Sequence, residues 1–244
     1  MIDIGIVGAE GRMGRAIAAE LAVHDSARVA GQAGRGDDAA ALAESCDVII
    51  DFSSPQALGG TLSAARAASR PIVIGTTGLG ADEHLAIDEA AASIPVLQAA
   101  NMSLGVTLLA HLVREAAARL GPDWDIEIAE MHHRHKVDAP SGTALLLGAA
   151  AAEGRGIELG ANSERGRDGI AGPRTPGHIG FAALRGGSVA GDHLVVLAGE
   201  GERIELGHRA ETRAIFARGA IKAALWLRDQ PPGRYAMTDV LGLT

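Results

Sequence analysis

Aromatic side chains are nearly missing from this chain, with three Phe, two Trp and one Tyr among 244 residues. Whatever core it builds must therefore be filled by Leu, Ile, Val and Ala. Cysteine occurs once, as Cys46 in the run Cys-Asp-Val-Ile-Ile. One cysteine excludes an internal disulfide and reads as a small buried apolar residue. Basic charge is also in deficit: 22 Lys and Arg face 30 Asp and Glu, for a net charge of −8. Neutralising a phosphate backbone needs a basic face, so a general nucleic-acid binder is excluded. No apolar run approaches the length of a membrane span, and Met1 runs straight into Ile-Asp-Ile-Gly-Ile-Val without a basic leader. With 47% hydrophobic and 21% charged residues, the expectation is a globular, cytoplasmic protein.

What the chain does have is concentrated between Glu130 and Ala144: Glu-Met-His-His-Arg-His-Lys-Val-Asp-Ala-Pro-Ser-Gly-Thr-Ala. Three of its nine histidines fall within four residues, beside an arginine and a lysine. A strand-like run enters, with Ile126 and Ile128 alternating against Asp125 and Glu127. An apolar run of helical composition, 144 to 152, leaves. Ser141 then reads as an N-cap, with the N–H groups of Gly142 and Thr143 presented at a helix start that favours anions. Imidazoles and an ammonium beside such a cradle suggest a site that holds a carboxylate and moves a proton. A solvated basic loop is the bland alternative, and a metal site is another, since His132, His133, His135 and Glu130 include possible ligands. Adjacent histidines on an extended segment point opposite ways, and Arg134 and Lys136 repel a divalent cation, so proton transfer ranks above metal.

At the other end, the apolar run 2–7 meets Gly8-Ala9-Glu10-Gly11-Arg12-Met13-Gly14, after which Met13, Ile17 and Leu21 recur at helical spacing. Strand, glycine turn and helix together are the context for dinucleotide binding, although an ordinary tight turn shares the pattern. The second strand ends in Gly34-Arg35-Gly36 without an acid, which suits a ribose 2′-phosphate; a solvated loop arginine is the alternative. Strands near 47–51, 71–74 and 94–98 alternate with helices near 56–69 and 81–92, predicting a doubly wound parallel sheet. Its strand ends at Gly75 to Gly78 and Ala99 to Ser103 are then candidates for the coenzyme. After a helix from about Gly105 to Leu120 the alternation breaks. Strand-like runs at 124–131, 178–185, 193–199 and 202–208 favour a mixed or antiparallel sheet. The stretch 153–177 has no period, and a last amphipathic helix covers about 212–228.

The glycine turn, Gly75-Thr76-Thr77-Gly78, Ala100-Asn101-Met102-Ser103-Leu104-Gly105-Val106 and above all the 130–144 block resemble the dihydrodipicolinate reductase family over nearly the whole chain. That resemblance implies a Rossmann-like α/β domain, 1–103 with 213–244, and an inserted α+β domain, 104–212, for substrate and oligomerisation. It implies reduction of 4-hydroxy-tetrahydrodipicolinate with NADPH or NADH, for lysine and diaminopimelate biosynthesis. His132 would be the proton donor and acceptor and Lys136 a proton donor, with His133, Ser141, Gly142 and Thr143 at the substrate's carboxylates. Cofactor contacts would fall on Gly8, Ala9, Glu10, Gly11, Arg12, Met13, Arg35, Gly75, Thr76, Thr77, Ala99, Ala100, Asn101 and Met102. A small dicarboxylate partner, no metal and a homotetramer complete the expectation. Many members carry Glu-Arg where this chain has Gly34-Arg35, so the coenzyme preference stays open. A metal-dependent hydrolase leaves the glycine turn unexplained, and a non-catalytic nucleotide sensor leaves the histidine cluster idle.

Overall fold

The structure, a computed structural model, describes residues 1–243. In chain order its elements are β1 (Ile2–Val7), α1 (Arg12–Leu21), β2 (Ala27–Ala33), α2 (Ala39–Glu44), β3 (Val48–Asp51), α3 (Pro55–Ala67), β4 (Ile72–Ile74), α4 (Ala81–Ala91) and β5 (Pro95–Gln98). There follow α5 (Leu104–Leu120), β6 (Asp125–His132), α6 (Gly142–Arg155), β7 (Ser163–Glu164), β8 (Ile179–Arg185), β9 (Gly191–Gly199) and β10 (Glu202–Ala210). The chain finishes with α7 (Ala214–Leu227), β11 (Gly233–Tyr235) and α8 (Met237–Leu241). Two compact units result, Met1–Leu104 with the chain from Arg213 onward, and Gly105–Thr212.

The first unit is a parallel sheet in the order β11-β5-β4-β3-β1-β2. Its central strand β3 is buried at all four positions, which is why its sequence runs apolar without alternation. Ile4, Ile6, Val48 and Ile50 pack on one side against Ile17 of α1 and Ala220 and Leu227 of α7. Val7, Ile49, Ile72 and Ile74 pack on the other against Leu42, Leu58 and Ile87 of α2, α3 and α4. Three elements here were not expected. The six-residue α2 is too short to show a period, while β11 and α8 are ordered by the sheet edge and core they join rather than by local propensity.

The second unit is a mixed sheet in the order β10-β9-β6-β8-β7, with β9 antiparallel to both neighbours and β8 parallel to β6 and β7. On β6 the buried positions alternate strictly: Ile126, Ile128, Glu130 and His132. The first two lie in a core with Leu109 and Val113 of α5 and Leu147 and Ala151 of α6. Period-two geometry therefore carries Glu130 and His132 on the same, helix-covered face. The aperiodic stretch 153–177 is organised by charge instead. Arg174 pairs with Asp125 at 2.7 Å and Glu127 at 2.9 Å, and Arg167 bridges Glu127 at 2.8 Å and Glu164 at 2.7 Å.

Candidate active site

In the second unit β6 delivers His132 at its last residue, and the chain then turns through 133–140 to the start of α6. The His133 N–H donates to Val189 O at 2.8 Å, and the Lys136 N–H to His133 O at 3.1 Å. Lys136 Nζ lies 2.8 Å from Asp138 Oδ1, and that hydrogen bond holds Asp138 below the usual carboxylate range. Ser141 caps α6, its Oγ accepting from the Ala144 N–H at 3.1 Å. Gly142 and Thr143 follow as the first helical residues, where backbone N–H groups gather at the positive end of the helix dipole.

Behind this loop sits a buried carboxylate. Glu130 is 2% exposed and each of its oxygens has two donors. Oε2 accepts from His132 Nδ1 at 2.6 Å and Arg185 Nη1 at 2.8 Å. Oε1 accepts from Arg185 Nη2 at 2.8 Å and the Ser141 N–H at 3.2 Å. Burial works against the charge, but the Arg185 and His132 hydrogen bonds outweigh it and hold Glu130 below its ordinary range. Arg185 also donates to Asp138 O at 2.7 Å, tying the loop to the sheet. Opposite His132, Gly191 has no side chain; a Cβ there would stand 3.0 Å from His132 Nε2.

His193 is the register partner of Glu130 on β9, packs edge-on to His132 with centroids 5.1 Å apart, and puts Nε2 3.2 Å from Ser141 Oγ. Burial first, then the neighbouring His132 charge, pushes its pKa down from 6.5 to about 4. A neutral His193 can accept from the Ser141 hydroxyl. Between pH 6.5 and 4 the unfolded chain takes up this proton and the folded chain does not. Acidification across that window should therefore destabilise the protein, by up to about 3 kcal/mol from this residue. Burial shifts His208 in the same direction, so the measurement is the difference from His193→Gln. Urea unfolding at pH 7, 6 and 5 should show a shallower pH dependence in the variant; equal slopes would exclude the assignment.

In the first unit the glycine turn separates two cavities. One, of about 430 Å³, is lined by Gly11, Arg12, Met13, Gly75, Thr76, Thr77, Ala100, Asn101 and Met102, with Phe52, Ser53 and Phe216. The other, of about 410 Å³, is lined by Gly8, Glu10, Gly11, Arg35 and Asp37 among others. Gly11, Phe52 and Ser53 border both. Ala9 and Ala99 pack on the core and line neither. Beneath Ser53 the fully buried Asp51 accepts through Oδ1 from Thr76 Oγ1 at 2.6 Å, Ser53 Oγ at 2.8 Å and the Ser53 N–H at 3.0 Å. Among the described residues no group of His, Cys, Asp or Glu is arranged to hold a metal ion. None of their helices is long and apolar enough to cross a membrane.

The family model described as dihydrodipicolinate reductase, N-terminus, matches residues 2–102, and that described as dihydrodipicolinate reductase, C-terminus, matches residues 105–241. The chain belongs to the dihydrodipicolinate reductase family. A 4-hydroxy-tetrahydrodipicolinate reductase of Zymomonas mobilis is 59% identical, over 99% of this chain and 98% of its own. That of Caulobacter vibrioides is 50% identical, over 99% and 97%. Among solved structures, a dipicolinate-bound dihydrodipicolinate reductase from Paenisporosarcina sp. TG-14 superposes with a TM-score of 0.79 at 21% identity, covering 98% of each chain.

Membership of the dihydrodipicolinate reductase family makes this an NAD(P)H-dependent reductase, and the first unit fits the coenzyme. Gly8 has φ +79°, and a Cβ there would strike Phe52 O; one on Gly14 would stand 2.5 Å from Ala9 Cα. Both glycines are therefore required by the tight turn and by the close packing of α1 on the strand end, which sets the start of α1 at the mouth of the sheet. Gly11, the N-cap of α1, has no side-chain cap, and the first turn carries no acid, so the helix start is left to an anion. Arg35 follows β2, and the acids Asp37 and Asp38 come just after it. Asp37 shares its cavity, although its Oδ2 accepts from the Gly34 N–H at 2.7 Å, and a Cβ on Gly34 would stand 3.1 Å from Glu10 Cδ. Arg185, His193 and Gly191 were not foreseen as part of the site. The available signal was polarity out of place: His193 alternates with the core residues Val195 and Leu197.

Proposed function

We propose that this chain reduces 4-hydroxy-tetrahydrodipicolinate to tetrahydrodipicolinate in diaminopimelate and lysine biosynthesis, with His132 and Lys136 moving the protons. The observation that carries this reading is the buried Glu130, whose carboxylate accepts from both His132 Nδ1 and the N–H of Ser141, the cap of α6. The first unit would hold the coenzyme, through the residues lining its two cavities, and the second the diacid. Reduced nicotinamide, when bound, supplies the hydride. Gly142 and Thr143 N–H groups and His133 take the substrate carboxylates, a role suited to a helix start and an imidazole. Ser141 belongs to the construction of that cradle, since its N–H and hydroxyl are engaged by Glu130, Ala144 and His193. Water leaves first, Lys136 protonating the departing hydroxyl while His132 takes the proton lost from the adjacent ring carbon; after hydride addition His132 returns a proton to the ring. The deciding assay follows oxidation of NADH and NADPH with freshly made synthase product as substrate. No substrate-dependent oxidation of either coenzyme would end this reading.

Arg35 at the end of β2 supports use of NADPH beside NADH. A charge-assisted hydrogen bond to a 2′-phosphate contributes roughly 1.5–3 kcal/mol. Arg35→Asp should therefore lower kcat/KM for NADPH roughly 10- to 100-fold and leave that for NADH within a few-fold. Equal losses for both coenzymes would remove Arg35 from the selection.

The homotetramer is supported by the face of the second sheet turned away from α5 and α6. There Ala129, Met131, Leu194 and Val196 are half-buried and Leu184 is 51% exposed. An apolar stripe of this kind suits a partner sheet. Light scattering tests it, and a monomeric mass would discard it. A cytoplasmic location is supported by the soluble nicotinamide coenzyme and biosynthetic intermediate that this reading requires.

A further inference from the structure

Glu130 is almost wholly buried and its carboxylate is fully engaged, and it joins two parts of the second unit. One oxygen holds His132 Nδ1 and the other holds the N–H of Ser141, the cap of α6, while Arg185 grips both oxygens. With four donors on one carboxylate, neither oxygen is free to rotate toward another partner. The hydrogen bond made by one ring nitrogen decides what the other nitrogen can do. A carboxylate fixed at Nδ1 requires a proton there in both the neutral and the cationic ring, so all exchange is left to Nε2. On that side the fold leaves out a side chain, at Gly191.

We infer that Glu130, clamped by Arg185, is a positioning residue that keeps a proton on His132 Nδ1 and makes Nε2 the atom that gives and retakes the proton. The same carboxylate sets the distance from Nε2 to the Gly142–Thr143 cradle, because it is bonded to the residue that caps that helix. Arg185 keeps Glu130 ionised despite its burial, so the pair acts as a unit. Neither residue touches the substrate on this reading; both act through His132.

The inference rests on His132 as the proton donor, and a double-mutant cycle separates the two. Glu130→Gln removes the charge with little change of shape. It should lower kcat roughly 100-fold, as loss of an orienting carboxylate does elsewhere, with KM for the diacid within about threefold. In a His132→Gln background the same substitution should cost less than about threefold. A full 100-fold loss in that background would make Glu130 merely structural and overturn the inference while leaving His132 in place. Unaltered turnover in His132→Gln alone would remove both. Should Glu130→Gln fail to fold because Arg185 is left unpaired, the cycle is run with Glu130→Gln/Arg185→Gln, which removes both charges. A readout independent of turnover is ¹⁵N NMR of histidine-labelled protein. Neutral His132 should carry its proton on Nδ1, and a protonated Nε2 in that form would overturn the assignment.

Discussion

His132→Gln should reduce turnover by about three orders of magnitude and leave the affinity for NADH and NADPH unchanged. Removing a positioned general acid typically costs 10²- to 10⁴-fold, and a glutamine amide has no proton to give near neutral pH. The substitution leaves its surroundings in order, because Glu130 keeps Arg185 and the Ser141 N–H when the imidazole is gone. Residual activity would then reflect Lys136 and the binding of the diacid. Stopped-flow or steady-state oxidation of the coenzyme measures the loss, and fluorescence titration measures coenzyme affinity. Full turnover in this variant would place the chemistry elsewhere.

The second large effect is on stability. Gly219→Ala should lower the folding free energy by more than about 3 kcal/mol, although alanine is the better helix former. In α7 the added methyl would land on Met102 O, deep inside contact distance, and the obstacle is backbone rather than a flexible side-chain tip. Either α7 withdraws from the core it shares with Ile6, Ile17 and Leu97, or the strand-end segment Ala100–Met102 shifts. Because Ala100, Asn101 and Met102 line one of the two cavities beside the glycine turn, the second route should also weaken coenzyme binding. Thermal unfolding should move down by roughly 10 °C on the usual scaling for chains of this size. A variant as stable as the parent would show that Gly219 is not a contact point.

Much of this was legible because two local signals are strong. Buried parallel strands such as β3 read as short apolar runs, and the turn from β1 to α1 is punctuated by three glycines. The block from Glu130 to Thr143 was legible as a strand end, a loop and a helix capped by Ser141, and the structure has those elements there. Glu130 itself was visible only as a possible metal ligand, because its real partner, Arg185, lies 55 residues away on β8. His193 was hidden for the same reason, as a register partner supplied by β9. Cross-strand pairing makes neighbours that spacing along the chain does not encode. β11 and α8 lie at the same limit, since their order comes from β5 and α7 and not from their own composition.

The return of α7 and β11 to the first sheet also bears on synthesis. When the ribosome has made residues 1–104, the side of that sheet bearing Ile4, Ile6 and Leu97 still lacks Ala220, Ile221, Ala224 and Leu227, which cover it in the finished protein. The nascent amino-terminal part must hold an oily surface open while more than a hundred further residues emerge, whereas Gly105–Thr212 has its own core elements in one uninterrupted segment. The middle of this polypeptide can thus mature before its beginning does.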